Sequence, residues 1–93
     1  MDKREAHHLL QEQLRCYRQL PYAALVARIG TQDHREVVGP SGFRYQIEIE
    51  IRWDSMPGKN VRVSGAVDDG GVRAFFPLCD AFLLAPDGTF VGE

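Results

Sequence analysis

Phe43-Arg44-Tyr45-Gln46-Ile47-Glu48-Ile49-Glu50-Ile51-Arg52-Trp53-Asp54 alternates apolar and polar side chains without interruption. Phe43, Tyr45, Ile47, Ile49, Ile51 and Trp53 fall on one side, and Arg44, Gln46, Glu48, Glu50, Arg52 and Asp54 on the other. Successive side chains of a β-strand point to opposite faces, so the segment is expected to be a strand with a dry and a wet face. Such a strand belongs to an antiparallel sheet whose apolar face needs a cover.

The N-terminal segment supplies that cover. Asp2 to Leu20 is rich in Glu, Gln, Arg, Leu and Ala and has no internal Gly or Pro, which favours helix. Ala6, Leu9, Leu10, Leu14 and Tyr17 recur at spacings of three and four and form one stripe. Asp2 is placed to cap the helix, with Glu5 three residues on as in a capping box. Pro21 to Ile29 is expected to form a second, short helix ended by Gly30, because Tyr22, Leu25, Val26 and Ile29 keep helical spacing. A strand is the alternative there, since Ala23, Leu25, Ala27 and Ile29 also alternate with their neighbours.

Around the long strand, Thr31 to His34 reads as a polar connection and Arg35 to Gly39 as a first strand. Gly39-Pro40-Ser41-Gly42 and Ser55-Met56-Pro57-Gly58-Lys59 have turn composition. Asn60 to Asp68 follows as a strand with Val61, Val63, Gly65 and Val67 on its core side. Charge favours a register with Glu50 opposite Arg62 over one that opposes Arg52 and Arg62. Asp68-Asp69-Gly70-Gly71 is a further turn, Val72 to Phe76 a short strand, and Phe82 to Ala85 and Thr89 to Val91 a hairpin around Pro86-Asp87-Gly88. The expected architecture is α+β: an N-terminal helix and a short second helix packed on one face of an antiparallel meander of about five strands.

Ninety-three residues, 44% apolar and 26% charged, fit a single domain spanning 1–93 that buries about two-thirds of its unfolded surface. A net charge of −2 disfavours nucleic acid as a partner. No apolar run is long enough for a membrane span or a signal peptide, so no membrane association and a cytoplasmic location are expected. Cys16 and Cys79 are expected to be buried thiols in a reducing compartment.

Signals for chemistry are sparse. His7 and His8 are neighbours on a helix, point in different directions, and are read as solvent-exposed. Asp68 and Asp69 could offer oxygen ligands to a divalent cation, but they lack the alternating pattern and distal Glu of an EF-hand loop and read first as turn residues. Glu48 and Glu50 lie about 7 Å apart on one strand face. With Arg44, Arg52 and Arg62 nearby both are expected to stay ionised, which does not suit a general acid. No nucleophile elbow or phosphate loop occurs, so no catalytic residue and no cofactor are expected.

Tyr45-Gln46-Ile47-Glu48-Ile49, Val67-Asp68-Asp69-Gly70-Gly71, Arg73-Ala74-Phe75, Pro77, Pro86-Asp87-Gly88 and Phe90-Val91-Gly92-Glu93 resemble the pattern of a family of short, uncharacterised bacterial proteins. The resemblance covers the C-terminal half and implies no activity, cofactor or fold.

The segment from Phe75 to Ala85 is apolar on both sides of any strand drawn through it. This makes Phe75, Phe76, Leu78, Phe82 and Leu84 candidates for an exposed contact surface. The expected function is therefore a small non-enzymatic domain that binds a protein partner or a second copy of itself. One alternative is a small-molecule-binding or enzymatic domain with a pocket between helix and sheet. Its walls would be Tyr17, Tyr45 or Trp53 and its anchor Asp68, Asp69 or Asp80. The other is a cation-binding turn at Asp68 and Asp69.

Overall fold

Asp2 opens the first helix. Its carboxylate accepts hydrogen bonds from the backbone N–H groups of Arg4 and Glu5, at 3.0 and 3.1 Å, satisfying donors the first helical turn leaves unpaired. In the computed structural model, which describes residues 2–70 and 77–93, this helix (α1) runs Lys3–Arg18. A short helix (α2) at Tyr22–Val26 follows, with Pro21 as its N-cap. Four strands come next among the described residues: β1 Gln32–Val38, β2 Arg44–Trp53, β3 Val61–Asp68 and β4 Leu78–Leu84. They pair as an antiparallel meander in chain order.

The alternation in β2 maps onto the sheet as expected. Tyr45, Ile47, Ile49 and Ile51 are at most 2% exposed and Trp53 is half-buried against them. Val61, Val63 and Val67 extend the dry face through β3, and Phe82 and Leu84 through β4. Ala6, Leu9, Leu10, Leu14 and Tyr17 of α1, with Leu25 of α2, close over it. Burial of each large apolar side chain contributes roughly 1.5–3 kcal/mol, so this shared layer is the main source of stability.

The helix sits closest to the sheet at Gly65. A Cβ built there would lie 2.5 Å from Leu10 Cδ1 and 3.1 Å from Ile49 Cδ1. The absent side chain lets α1 rest on β3 and β4 while also touching β2. It meets β1 chiefly through polar side chains. Accordingly β1 is exposed along almost all its length, with only Val37 half-buried.

Several boundaries and pairings differ from the sequence expectation. The first strand begins at Gln32, so Gln32 to His34 belong to it rather than to a connection. The expected second helix is present but shorter, Tyr22–Val26 rather than Pro21 to Ile29, and the strand alternative there is not adopted. The strand count is four rather than about five among the described residues. The expected Val72 to Phe76 strand lies outside them, the expected strand from Phe82 is the end of β4, and the closing hairpin is reduced to one bridge, Leu84 to Phe90.

The β2–β3 register is the one that charge disfavoured. Arg52 lies opposite Arg62, Ile51 opposite Val63 and Trp53 opposite Val61. The turn decides it. Met56 accepts from the N–H of Lys59 at 3.2 Å, with Pro57 second and Gly58 (φ 82°) third, so the ladder closes at Asp54 and Asn60. The arginines are neutralised along their own sides: Arg62 Nε and Nη2 donate to Asp54 at 3.0 and 2.6 Å, and Arg52 pairs with Glu50.

Two polar clamps tie the layers together. Glu5 does not turn back on Asp2 as a capping box requires. Its carboxylate instead accepts from the Ser41 N–H at 3.0 Å, from the Ser41 hydroxyl, and from Tyr45 Oη at 2.8 Å, fastening α1 to the β1–β2 turn. At the other end Arg18 makes a two-pronged bond to Glu93, at 2.8 and 2.7 Å, with its guanidinium 4.8 Å from the Phe82 and Phe90 rings.

Gly65→Val should destabilise the fold by about 1–3 kcal/mol in chemical denaturation, despite the better strand propensity of Val, because the space belongs to Leu10. Leu10→Ala in the same chain should recover part of that loss, and strictly additive effects would contradict the docking geometry. Hydrogen bonding from Ser41 holds the Glu5 carboxyl below its ordinary pKa of 4.5. A lowered folded-state pKa means stability present above the ordinary value and lost as pH falls through the lowered one. Glu5→Gln should therefore be less stable at neutral pH and show a flatter acid limb below pH 4.5 in a melting-temperature profile.

Candidate interaction surfaces

Among the described residues, the candidates for surplus apolar surface are inside or half-buried. Phe82 and Leu84 are each 3% exposed and belong to the core, and Leu78 packs half-buried against it. The reason is the reach of α1, which extends over β4 and covers the side of that strand carrying Leu78, Phe82 and Leu84. Phe82 and Leu84 are thus not a contact surface of the folded chain. Phe75 and Phe76 lie outside the described residues.

A cleft of about 410 Å³ does open between helix and sheet, where β1 passes beyond α1. Of the three expected wall residues only Tyr17 lines it; Tyr45 is fully buried and Trp53 packs against the core. Its acid is Asp33, not Asp68, Asp69 or Asp80. The sequence does not point to Asp33, because Thr31 to His34 has no apolar member and reads as a polar connection. The signal that would have found it is the odd-residue side of β1, which sets Asp33, Arg35 and Val37 opposite Ile49, Ile47 and Tyr45.

The groups in this cleft are occupied with one another. Tyr17 donates to Asp33, Arg35 Nη1 donates to Gln13 at 2.8 Å, and Arg35 Nη2 donates to Tyr17 Oη at 3.3 Å. Burial, and then the Asp33 bond, push the Tyr17 hydroxyl above its ordinary pKa of 10.0. It is therefore a neutral donor at physiological pH. The arrangement serves to anchor a polar strand to a helix.

Asp68 uses its carboxylate to accept from the Gly70 N–H at 2.8 Å, as a turn aspartate does. Among the described residues no group of three or more His, Cys, Asp or Glu side chains gathers into a metal site. His7 and His8 are exposed as expected; His7 lies 3.5 Å from Asp80 and His8 3.1 Å from Glu12. No helix among the described residues is long and apolar enough to cross a membrane.

The two edges of the sheet are unequal. On β4 the Leu83 carbonyl accepts from the Val91 N–H at 3.0 Å, and the Ala81 N–H donates to the Asp80 side chain at 2.8 Å. On β1, Ile51 N–H donates to Thr31 and Gly39 N–H donates to Phe43, which fixes the odd residues as those bonded to β2. The backbone groups of Gln32, His34, Glu36 and Val38 then point outward, along a strand whose flanking side chains are nearly all in water.

No helix among the described residues covers the outer face of the sheet. Glu36 and Arg44, Glu50 and Arg52, and Asp54 and Arg62 pair across it. Over β3 and β4 the outward side chains shrink to Ser64, Ala66, Cys79 and Ala81, and a trough of about 470 Å³ forms there against Glu48 and Glu50.

Comparison of the chain with protein-family models, with curated proteins and with solved structures finds no match.

Cys16 and Cys79 are both free and exposed, against the expectation of buried thiols. Cys16 falls outside the apolar stripe of α1, and Cys79 alternates onto the outer side of β4. Both should react with a disulfide reagent such as Ellman's in the folded protein, giving two equivalents per chain before any denaturant is added. Thiols that react only after unfolding would contradict this placement.

Proposed function

We propose that this chain is a non-enzymatic interaction domain that self-associates by joining the β1 edges of two copies into one continuous antiparallel sheet. The observation that carries this reading is the open outer edge of β1, with its outward-facing backbone groups and exposed charged side chains.

Charge selects the register of such a pair. Opposed residues share a face, and only like-numbered parity brings the free backbone groups together. Centring the pair on Arg35 sets that guanidinium against its own copy, while centring on Asp33 or Glu36 sets two carboxylates together. Centring on Val37 aligns only the C-terminal end of the strand. Centring on His34 places Asp33 of each copy opposite Arg35 of the other and Gln32 opposite Glu36. The strand is therefore self-complementary about His34. The same charges reject other extended segments, which is how natural sheets keep an edge from indiscriminate pairing. Both helices then lie on one side of the joined sheet. Contact through one edge buries less than a standard interface, so association is weak and concentration-dependent.

Sedimentation velocity over a concentration series is the direct measurement. The single variants Asp33→Arg and Arg35→Asp should each weaken self-association by about tenfold or more, because attraction is replaced by repulsion on both sides of the two-fold axis. Mixed together, they should form a heterodimer, since every opposed pair is again of opposite sign. Glu36→Pro, which removes an outward N–H together with an exposed ion pair to Arg44, should leave the fold intact and abolish dimerisation, whereas Glu36→Gln, which keeps the N–H, should still dimerise. A chain that stays monomeric at every concentration, or a mixture of the two charge variants that fails to associate, overturns the reading.

A further inference from the structure

On the outer face, over β2 to β4, the ion-pair pattern among the described residues leaves one acidic group over. Each described arginine there has a carboxylate: Arg44 has Glu36, Arg52 has Glu50 and Arg62 has Asp54. Asp68 is engaged with the Gly70 N–H. Glu48 is exposed and makes no hydrogen bond or ion pair with any described residue. In the sheet it lies directly opposite Ala66, which in turn lies opposite Cys79.

The Glu48 carboxylate therefore stands at the wall of a trough floored by Ser64, Ala66, Cys79 and Ala81, while the other charged groups on the strand wall, Glu50 and Arg62, are already paired with Arg52 and Asp54. Adjacent strands lie about 4.8 Å apart, so Glu48 and the floor at Ala66 are within the span of one long side chain. A cavity of about 470 Å³ holds such a side chain together with its flanking backbone. Lysine and arginine bury their aliphatic stems on apolar surface while keeping the charged head against a counter-charge. A negative wall beside an apolar floor is the complement of that side chain. An acidic or purely apolar segment would leave Glu48 uncompensated.

We propose that this trough is a docking site for an arginine- or lysine-bearing segment of a partner protein, with the stem on Ala66 and Ala81 and the cation on Glu48. This inference is independent of edge pairing, since β1 contributes nothing to the trough.

The test is an NMR titration of the full chain with acetyl-Ala-Arg-Ala-amide, following the methyl signals of Ala66 and Ala81. The same titration with the citrulline analogue, equal in shape but neutral, needs no variant of the protein. The arginine peptide should give saturable shifts at both alanines, with affinity about fivefold above that of the citrulline peptide, the range of an exposed ion pair. Glu48→Gln should reduce the arginine peptide to the citrulline level, whereas Glu36→Gln should not. Equal affinity for the two peptides, no loss in Glu48→Gln, or shifts that miss Ala66 and Ala81 would each overturn the proposal.

Discussion

The missing side chain at Gly65 decides where the helix can lie, and much else follows from that. Leu10 occupies the space a Cβ would need, which draws α1 down onto the centre of β3. A helix is about 10 Å wide and strands are about 4.8 Å apart, so one helix covers two to three strands and not four. Placed over β3, it covers β4 and part of β2 and leaves β1 outside. The composition of β1 agrees with this. Asp33 and Arg35 face the side that carries the core in the neighbouring strands, and neither could be buried there without a partner.

The unequal edges have the same origin. β4 lies under α1, and the C-terminal segment is held against it by the Arg18–Glu93 pair and by Phe90 packed edge-on to Phe82, ring centres 5.7 Å apart. That edge is partly covered by the chain itself. No comparable segment runs beside β1 among the described residues. Its protection is chemical, through charges of both signs, and charges of both signs are also what make a strand able to recognise itself.

What could be read from the sequence follows the strength of each physical signal. The alternation from Phe43 to Asp54 and the stripe from Ala6 to Tyr17 located the core, because a strand slipped by one residue would drown Ile47, Ile49 and Ile51 together. The β2–β3 register was misjudged because a surface charge pair is worth little beside a turn that only Pro57 and Gly58 can make. The start of β1 was missed since Gln32 to His34 have no apolar member, and periodicity is silent on a strand whose two faces are both wet. The segment around Phe82 looked excessive because its burial depends on how far α1 reaches, which is a tertiary fact. The Tyr17–Asp33–Arg35 group was illegible for the same reason: those residues are brought together only after β1 has been assigned.

Ion pairing on the outer face shows how the fold separates structure from recognition. Arg44, Arg52 and Arg62 are each satisfied by a nearby carboxylate, so these groups hold no net demand for a partner. Glu48 breaks the pattern at the point where the sheet surface drops to alanine. The fold gains no ion pair from a charge there, since Glu48 is exposed and pairs with no described residue. It is the adjacency of Glu48 to Ala66 that distinguishes it from Glu50, whose opposite residue is Ser64 and whose charge is already matched by Arg52. A carboxylate with no internal partner beside an apolar floor is available to another molecule, whereas the same carboxylate beside an arginine is already spent on the fold.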